Sequence, residues 1–439
     1  MEPLYTAAEM KAAEAGHDVD VLMERAARAV ADAVVDRYPE ARRIRAVCGK
    51  GANGGDGRIA VRFLRDAGLD AEESTDVEGA DVVIDALFGT GFSGAPRPEA
   101  AALIERVNRE DAAVVAVDIP SGVDASTGEV PGEAVEADVT VTMHGLKVGL
   151  VVGPGCFLAG ELVLADIGLE QRPTQHAVVG PEVLSRVPRK RDGDNKYTAG
   201  SVLVVGGAPG MSGAAALCGR AAFRADAGYV AIAAPSESLP VLETLVLEAV
   251  KRPLDDALDA AERARALAIG PGLGRGDAER ELVRRLLVAT DVPAVVDADG
   301  LDGFAPVVRE GETVLTPHSG ELGRLLGQES AWVDAHRLEA VRRAVERYGC
   351  VVLLKGPDTL IGAPGEGVCV VRGNVSALAT AGTGDVLTGI IAAFLAKGLD
   401  AQTAAAAAAV AHRKAARAAA KRSGLVASDV VEALPDALA

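Results

Sequence analysis

A loop of small residues that ends in a carboxylate carries the clearest chemistry in this sequence. The loop spans Ala379–Asp385 (ATAGTGD), and the apolar run Val386–Leu395 after it predicts a helix. Backbone N–H groups at a helix start, next to glycines that allow close approach, form an anion site. This arrangement indicates phosphoryl transfer to a hydroxyl, with Asp385 accepting the proton. The alternative is an ordinary helix N-terminus that Thr383 or Asp385 caps.

A second glycine-rich loop lies in the first half of the chain. Gly49–Gly57 (GKGANGGDG) follows the predicted strand Ile44–Cys48 and precedes the predicted helix Ile59–Ala67. Strand, glycine turn and helix in this order are typical of sites that bind a dinucleotide pyrophosphate. The spacing is neither GxGxxG nor a Walker A loop, and a simple tight turn is the alternative. Asn53 and Asp56 are more than a turn needs, which favours binding.

Two further loops of the first half carry an acid at the end of a predicted strand. They are Asp85–Ala95 (DALFGTGFSGA) and Asp118–Asp124 (DIPSGVD). Ligands of open α/β sheets bind at the carboxyl ends of strands, so the three loops should converge. Asn53, Asp85 and Ser121 would then place hard oxygen ligands around one point, which suits an oxygen-preferring cation. Taken singly, each of them is more typical of a cap or a turn.

Four loops of the second half also follow predicted strands. They are Ala208–Ala215 (APGMSGAA), Gly270–Gly274 (GPGLG), Thr316–Leu322 (TPHSGEL) and Lys355–Thr359 (KGPDT). Within them, Lys355 at a strand end beside a glycine is a plausible nucleotide contact, although a lone lysine is more often simply solvated. His318 is either a site residue or only the cap of its helix. The sequence has no GxSxG elbow, which argues against a Ser–His–Asp hydrolase.

The apolar pattern predicts two α/β domains. Runs of strand length alternate with helical patterns, which is typical of a mainly parallel sheet covered on both faces. The predicted strands of the first half are Ile44–Cys48, Val82–Leu87, Ala113–Val117, Val139–Thr142 and Leu162–Ala165. Those of the second half are Ser201–Val205, Tyr229–Ala233, Ala266–Ile269, Ala294–Asp297, Thr313–Leu315, Val351–Leu354 and Val368–Val371. The predicted helices are Ala7–Ala15, Val19–Arg37, Ile59–Ala67, Glu99–Asn108, Ala214–Ala227, Ala278–Leu287, Trp332–Tyr348, Val386–Leu395 and an Ala-rich helix over Thr403–Lys421.

Length and composition place the domain boundary. A chain of 439 residues with 49% hydrophobic residues can bury more than one core. Prolines 173, 181 and 188 and a charged run interrupt the α/β pattern, which is typical of a linker. We therefore expect a first domain over residues 1–175, a linker over 176–194 and a second domain over 195–439.

Charge and cysteine content exclude several classes of function. The net charge of −18 at pH 7 argues against nucleic acid as a partner. No apolar run is long enough to span a membrane, and we expect no secretion signal at the N-terminus. The five cysteines are scattered, which favours reduced thiols in a cytoplasm over a disulfide or zinc framework. Only ten of the 45 basic residues are lysine, a composition that resembles proteins of halophilic archaea, although high-GC bias has a similar effect.

The three loops of the first half resemble the signature loops of the NAD(P)H-hydrate epimerase domain, over about residues 1–170. The resemblance implies a Rossmann-like three-layer α/β/α sandwich. It implies that the damaged cofactor is contacted by Ala52, Asn53, Gly54, Gly55, Asp56, Gly89, Thr90, Gly91, Phe92, Ser93, Gly94, Ala95 and Asp118. It further implies a potassium ion held by Asn53, Asp85 and Ser121, with Asp118 as the candidate for proton transfer at the C6 carbon. Ala52 departs from the family, which usually has a second Asn there.

The loops of the second half, together with ATAGTGD, resemble those of the ADP/ATP-dependent NAD(P)H-hydrate dehydratase domain, which has a ribokinase-like fold. The resemblance runs from Lys196 to the C-terminus, and Asn195 stands where the family commonly has a His. It implies that the hydrated dinucleotide is contacted by Ala214, Gly272, Gly274, His318, Ser319, Gly320, Glu321, Leu322, Gly323, Arg324 and Asp385. It implies that the adenine nucleotide is bound by Lys355, Gly356, Pro357, Asp358, Thr359 and Gly384.

The two resemblances together identify the chain as a member of the bifunctional NAD(P)H-hydrate repair family. They imply epimerisation of the C6 hydrates of NADH and NADPH (NADHX and NADPHX) and dehydration of the S epimer. They also imply ADP or ATP as co-substrate, Mg²⁺ and K⁺ as ions, AMP and phosphate as products in the ADP case, and a cytoplasmic homo-oligomer. One alternative is a kinase for a small alcohol such as a vitamin precursor. Another makes the first half a non-catalytic binding module.

Overall fold

The structure, a computed structural model, describes residues 1–373, 375–419 and 423–439. The chain forms two compact units. The first comprises Pro3–Ala177 together with the short segment Asp334–Leu338, and the second comprises Met1–Glu2, Val178–Val333 and Glu339–Ala439. Within the described residues, none of the helices is long and apolar enough to cross a membrane.

The first unit is built around a six-stranded parallel sheet. The strands of this part of the chain, six of which form that sheet, are β1 (Glu2–Tyr5), β2 (Arg43–Cys48), β3 (Asp70–Glu73), β4 (Val82–Ala86), β5 (Ala113–Val117), β6 (Val139–Met143), β7 (Leu146–Lys147) and β8 (Glu161–Ala165). Its helices are α1 (Ala7–Glu14), α2 (Val19–Arg37), α3 (Ala52–Asp66) and α4 (Pro98–Arg109). The sheet has the order β3-β2-β4-β5-β6-β8, and β1 pairs separately with β7.

Apolar side chains that point alternately to opposite sides of the central strands give this sheet two buried faces. In β4, Val82 and Ile84 pack in one core with residues of α2 and α3, whereas Val83 packs in a second core with residues of α4. Successive side chains of a strand point to opposite faces, so helices cover both sides of the sheet. The unit is a three-layer α/β/α sandwich, as the sequence predicted.

The second unit contains nine consecutive strands of a mainly parallel sheet. After β9 (His176–Val178), its strands are β10 (Ser201–Val205), β11 (Tyr229–Ala234), β12 (Val250–Pro253), β13 (Ala266–Ile269), β14 (Ala294–Val296), β15 (Thr313–Leu315), β16 (Val351–Leu354), β17 (Thr359–Gly362) and β18 (Cys369–Val371). Its strand order is β12-β11-β10-β13-β14-β15-β16-β17-β18. Pairing is parallel from β12 to β16 and antiparallel between β16, β17 and β18.

Ten helices are described in the second half of the chain. They are α5 (Ser212–Arg224), α6 (Leu239–Leu245), α7 (Ala257–Ala261), α8 (Asp277–Ala289), α9 (Ser319–Leu326), α10 (Ser330–Ala335), α11 (Arg337–Tyr348), α12 (Thr383–Ala396), α13 (Ala401–Ala418) and α14 (Ala427–Leu438). The Ala-rich helix α13 is buried with α5, α12 and α14 in one core, so its low complexity does not mark disorder. Its predicted end at Lys421 lies outside the described residues.

Two glycine-rich helix starts lie earlier than the sequence predicted. Helix α3 begins at Ala52 instead of Ile59, and α12 begins at Thr383 instead of Val386. Glycine has low helix propensity, and tertiary packing overrides it at both places. Short strands with little apolar content were also missed, among them β3 and β12.

Candidate active sites

Helix α12 opens on a backbone that requires glycine. Gly382 has a φ of 88°, and a Cβ at this position would lie 2.8 Å from Leu217 Cδ1. Within the described chain no side chain caps this helix. The Thr383 hydroxyl donates instead to the Leu378 carbonyl oxygen at 2.8 Å. Neither Thr383 nor Asp385 therefore acts as the cap, and the first-turn N–H groups are not taken up by a capping side chain.

Asp385 lies in this first turn, and its pKa is raised to about 7. Burial is the largest cause, and the negative charge of Asp297 adds to it. The ammonium of Lys355 opposes the shift, and Asp299 and Glu321 reinforce it. A carboxylate with a pKa near neutrality is suited to take up a proton at physiological pH.

Lys355 is held beside this turn by buried carboxylates. Its Nζ donates to Asp297 Oδ1 at 2.8 Å and lies 3.6 Å from Glu321 Oε2. Burial lowers the pKa of Lys355, but the charges of Asp297 and Glu321 outweigh it and the net shift is upward. A Cβ built on Gly384 would lie 3.5 Å from the same ammonium. The positive charge therefore lies next to the helix start.

A cavity of about 540 Å³ opens next to these groups. Six of the residues predicted for ligand binding line it: His318, Lys355, Gly356, Pro357, Thr359 and Gly384. Apolar side chains that include Leu378 and Leu387 form part of its remaining wall. A pocket with an apolar wall and a few charged or polar groups at one end is typical of small-molecule sites.

Arg413 of α13 fixes the loop that carries Lys355. Its guanidinium donates to the Gly356 carbonyl at 3.0 Å, to Thr359 Oγ1 at 2.8 Å and to the Gly373 carbonyl at 2.5 Å. The side chain is buried and also lines the cavity. The planar fork of an arginine suits such multiple acceptors, which a lysine could not satisfy together.

His318 caps helix α9, as the alternative interpretation of the sequence held. Its Nδ1 accepts a hydrogen bond from the Gly320 N–H at 3.0 Å, and Glu321 accepts one from the His318 N–H at 2.9 Å. The imidazole nevertheless lines the cavity. Of the other predicted positions on α9, Leu322 and Gly323 are buried, whereas Arg324 is exposed.

The remaining predicted residues of the second unit form a neighbouring group. A Cβ on Gly272 would lie 3.2 Å from Ala214 Cβ, so the Gly272 backbone lies close to the Ala214 side chain. The Gly274 N–H donates to Asp299 Oδ2 at 3.0 Å. The charge of Asp299 also helps to raise the pKa of Asp385, which connects this group to the start of α12. Ala214, Gly272 and Gly274 are not among the residues that line the cavity.

In the first unit, close packing restricts several glycines of the GKGANGGDG loop. A Cβ on Gly49 would lie 2.0 Å from the Leu87 carbonyl oxygen, and one on Gly54 would lie 1.9 Å from the Gly49 carbonyl oxygen. A Cβ on Gly51 would meet nothing within 4 Å. Packing thus accounts for Gly49, for Gly54 and also for Gly57, whose Cβ would lie 2.6 Å from Ala86 Cβ, but not for Gly51.

The three residues predicted to bind a cation do converge. Ser121 Oγ donates to Asp85 Oδ1 at 2.6 Å, and the Ser121 N–H donates to Asp85 Oδ2 at 2.8 Å. Asn53 Nδ2 donates to the Phe88 carbonyl at 2.9 Å, and that oxygen lies 3.3 Å from Ser121 Oγ. Carboxylate, hydroxyl and carbonyl oxygens therefore meet at one buried point, with the Asn53 amide beside them.

Burial dominates the electrostatics of Asp85. The residue is 1% exposed, and burial raises its pKa to about 6 although hydrogen bonds from Ser121 oppose the shift. None of the ion pairs in the described part of the chain involves Asp85. The described residues also hold no cluster of three His, Cys, Asp or Glu side chains that could bind a metal.

Asp118, the predicted proton-transfer group, forms an ion pair that the sequence did not suggest. The Nζ of Lys147, a residue with no exposed surface, contacts Asp118 Oδ1 and donates to Thr142 Oγ1 at 2.9 Å and to the Met143 carbonyl at 2.7 Å. Asp118 has a φ of 69°, an uncommon conformation for a residue other than glycine. Strain of this kind clusters at functional sites.

Asp56 lies near this pair. Burial raises its pKa to about 8, and the charges of Asp118 and Glu14 add to the shift. Its Oδ1 atom is buried without a hydrogen-bond partner among the described atoms. In the predicted loop Gly89–Ala95, the first residue lies close to Asn53: a Cβ built on Gly89 would lie 3.1 Å from Asn53 Cβ. Ser93, Gly94 and Ala95, at the other end of the loop, are exposed.

Sequence reasoning missed four residues that hold these sites together: Asp297, Thr388, Arg413 and Lys147. Asp297 carried the same signal as Asp85, an acid at the end of an apolar strand. The other three carry no local signal. Thr388 and Arg413 lie inside helices, and Lys147 lies in the two-residue strand β7.

Comparison with known proteins connects both sites to one family. The family model described as NAD(P)H-hydrate dehydratase matches residues 202–436, and that of the YjeF-related protein N-terminus matches residues 19–73 and 68–149. The bifunctional NAD(P)H-hydrate repair enzyme Nnr of Moorella thermoacetica is 37% identical, with 94% of this chain and 91% of that protein covered. The chain belongs to the bifunctional NAD(P)H-hydrate repair enzymes. The Escherichia coli enzyme of this name is 34% identical, with 94% of this chain and 88% of that protein covered.

Solved structures support the assignment for the second unit of this repair enzyme. The ADP/ATP-dependent NAD(P)H-hydrate dehydratase of Bacillus subtilis, co-crystallised with ATP and Mg²⁺, is 30% identical with a TM-score of 0.55. The match covers 60% of this chain and 97% of that one. A ribokinase-like superfamily protein of Enterococcus faecalis, at 22% identity and a TM-score of 0.55, supports the fold alone.

The comparisons confirm the family, the fold class and the two activities that the motifs predicted. The protein is an NAD(P)H-hydrate epimerase and an NAD(P)H-hydrate dehydratase in one chain. The small-alcohol kinase and the non-catalytic first half are therefore not favoured. The halophilic origin stays a prediction.

Proposed function

We propose that residues 195–439 remove the C6 hydroxyl of the S epimer of hydrated NADH or NADPH, with Asp385 as the base. The observation that carries this proposal is the raised pKa of Asp385, about 7, in the uncapped first turn of α12 beside Lys355. Hydroxide is a poor leaving group, so the hydroxyl must first be converted to a better one. Proton transfer to Asp385 makes the C6 oxygen a nucleophile.

The oxygen then attacks the terminal phosphorus of ADP or ATP. With ADP the bond to the bridging oxygen breaks and AMP leaves, and with ATP the leaving group is ADP. Phosphate departs next with the electron pair of the C6–O bond, and loss of a ring proton restores the double bond of NADH or NADPH. The N–H groups at Gly382 and Gly384, and the Lys355 ammonium, would stabilise the charge on the transferred phosphoryl group.

The nucleotide is assigned to the cavity of about 540 Å³ that Lys355, Gly356, Pro357, Thr359 and Gly384 line. Asp358 is buried behind this loop, so it would support the loop more than touch the ligand. The Bacillus subtilis relative was co-crystallised with ATP and Mg²⁺, which supports an adenine nucleotide and Mg²⁺ as ligands of this domain. The Asp297 oxygens are already used by Lys355 and Thr388, so Mg²⁺ would be held chiefly by the nucleotide phosphates and water.

In residues 1–175 the proposal assigns epimerisation at C6 to Asp118, with Lys147 as its partner. The buried Lys147 ammonium contacts Asp118 Oδ1 and would hold this carboxylate in place against the C6 carbon. The hydrate would lie against Ala52–Asp56, the loop Gly89–Ala95 and Asp118. Residues 176–194 link this domain to the dehydratase.

A potassium ion is proposed at the point where Asn53, Asp85 and Ser121 meet. Among the residues that the structure describes, no cationic side chain pairs with the buried Asp85 carboxylate, and the Phe88 carbonyl supplies a further oxygen. A single carboxylate with neutral oxygens suits a monovalent cation better than a divalent one. The bound ion would neutralise Asp85 and hold the loop that begins at Gly89.

The experiment that tests the dehydratase assignment is the recovery of nicotinamide absorbance from hydrated NADH with ADP, repeated with ATP. Asp385→Asn should abolish recovery while the same protein still interconverts the two epimers. Recovery at the wild-type rate in Asp385→Asn would overturn the assignment of the base. The ratio of the ADP and ATP rates identifies the preferred co-substrate.

Assembly as a homo-oligomer in the cytoplasm also belongs to this proposal. Light scattering of the purified full chain measures the number of subunits, and a monomer at all concentrations would contradict it.

A further inference from the structure

Asp297 is buried at the centre of the dehydratase site, although it is not among the groups assigned to chemistry. It follows strand β14 and is 1% exposed. Its Oδ1 atom accepts a hydrogen bond from the Lys355 ammonium at 2.8 Å, and its Oδ2 atom accepts one from the Thr388 hydroxyl at 2.7 Å. A buried carboxylate needs such partners, since its desolvation is otherwise costly. Each oxygen therefore anchors a different element of the site.

Thr388 connects this carboxylate to the turn that carries the base. Its hydroxyl donates to Asp297 and also lies 3.0 Å from the Gly384 carbonyl, one turn earlier in α12. Bonding of a helical threonine to the carbonyl four residues before it is a known local pattern. Gly384 directly precedes Asp385, so the position of the base is linked to Asp297 through one side chain.

Charged groups from several elements face Asp385. Asp297 and Asp299 follow β14, Glu321 lies on α9 and Lys355 follows β16. On α5, the buried Cys218 thiol has a pKa well above its usual value, to which Asp385 contributes. On α13, His412 hydrogen-bonds the backbone of Thr383, and burial lowers its pKa to about 4, so it is neutral at pH 7. Among all these charges, Asp297 has the largest effect on Asp385.

We propose that Asp297 is a positioning residue of the dehydratase. Its carboxylate holds the Lys355 ammonium beside Gly384 and, through Thr388, fixes the turn of Asp385. Its negative charge keeps Asp385 basic enough to accept the substrate proton at neutral pH. This inference rests on the proposed role of Asp385 as base.

The test is the pH dependence of kcat/KM for hydrated NADH at saturating ADP, measured on the full chain. In the wild type the rate should rise with pH through the pKa of Asp385. In Asp297→Asn the loss of one negative charge, and the release of Lys355, both favour the ionised form of Asp385. The rising limb should then move to lower pH by about one unit or more, and kcat should fall.

Thr388→Val is the matched control, because it removes the hydroxyl and keeps the charge of Asp297. We expect a lower kcat with the rising limb at the wild-type pH, and Thr388→Ser should restore kcat. If Asp297→Asn proves unstable, this pair still decides the positioning role. A wild-type kcat in Thr388→Val, or an unmoved limb in a folded Asp297→Asn, would overturn the inference.

Failure of the inference and failure of the proposed function are distinguishable. Asp385→Asn could be inactive at every pH while the rising limb of kcat/KM in Asp297→Asn stays at the wild-type pH. That result would support Asp385 as the base and would contradict the positioning role of Asp297. If Asp385→Asn retains recovery, the assignment of the base falls and the inference falls with it.

Discussion

Replacement of Asp85 by Asn should change the stability of the first unit in a way that depends on both pH and potassium. Burial raises the pKa of Asp85 from 3.8 to about 6. The folded state therefore binds a proton more tightly than the unfolded state, so stability falls as pH rises from 3.8 through 6. The shift corresponds to about 3 kcal/mol of destabilisation at pH 7.5 when no cation is bound.

Bound potassium should offset this cost, since it supplies the missing positive charge. We expect KCl to raise the Tm of the first unit at pH 7.5, relative to tetramethylammonium chloride at equal ionic strength. At pH 5 the effect should be smaller, because Asp85 is then mostly protonated. Asp85→Asn should lose the response and, in potassium-free buffer at pH 7.5, should be more stable than the wild type by up to about 3 kcal/mol.

Calorimetry of the full chain measures this effect, because two units can unfold in separate transitions. The single tryptophan, Trp332, lies in the second unit, so its fluorescence identifies the transition that should not respond to potassium. Asp81→Asn is a surface control that should keep the response. An equal response to KCl in Asp85→Asn and the wild type would refute the cation site. So would a potassium-free Asp85→Asn less stable than the wild type at pH 7.5.

Three further predictions concern packing and the two sites. Gly389→Ala should destabilise the second unit by about 1–3 kcal/mol or more, because its Cβ would lie 2.2 Å from the Cys218 carbonyl oxygen. Gly213→Ala is the control and should not destabilise the unit, because its Cβ would meet nothing within 4 Å. Thermal unfolding of the two variants compares these effects. Arg413→Lys should raise KM for ADP about tenfold, or about 1.4 kcal/mol, with a smaller change in kcat. An unchanged KM would contradict the role of Arg413 in holding the loop that carries Lys355. Lys147→Met should abolish epimerisation while dehydration of purified S epimer continues; epimerisation at the wild-type rate would exclude Lys147 from the reaction.

Residues at strand ends could be predicted because two local signals coincide there. Asp85 and Asp118 each end an apolar run and begin a loop rich in glycine or proline, and the parallel sheet brings such loops to one edge. Asp297 also ends an apolar run, but a short 3₁₀ helix follows it, and no ligand-binding motif drew attention to it.

Residues that act through distant contacts could not be predicted from local patterns. Lys147 reaches Asp118 across 29 positions of sequence, and Arg413 reaches Gly356 across 57. The start of α3 was placed late for a related reason. Its Gly54 is disfavoured in a helix by propensity, and only the contact with Gly49, a tertiary feature, explains why glycine stands there.

The short segment Asp334–Leu338 has a consequence for how this enzyme can be divided. It belongs to the first compact unit, where His336 Nδ1 lies 2.9 Å from Glu129 Oε1, yet the sequence that encodes it lies deep in the second half. A polypeptide truncated in the linker would lack Asp334–Leu338, a segment of its own compact unit. Half-length versions made to separate the two activities would then carry an unmatched surface, and inactivity in such a fragment would say little about the intact epimerase.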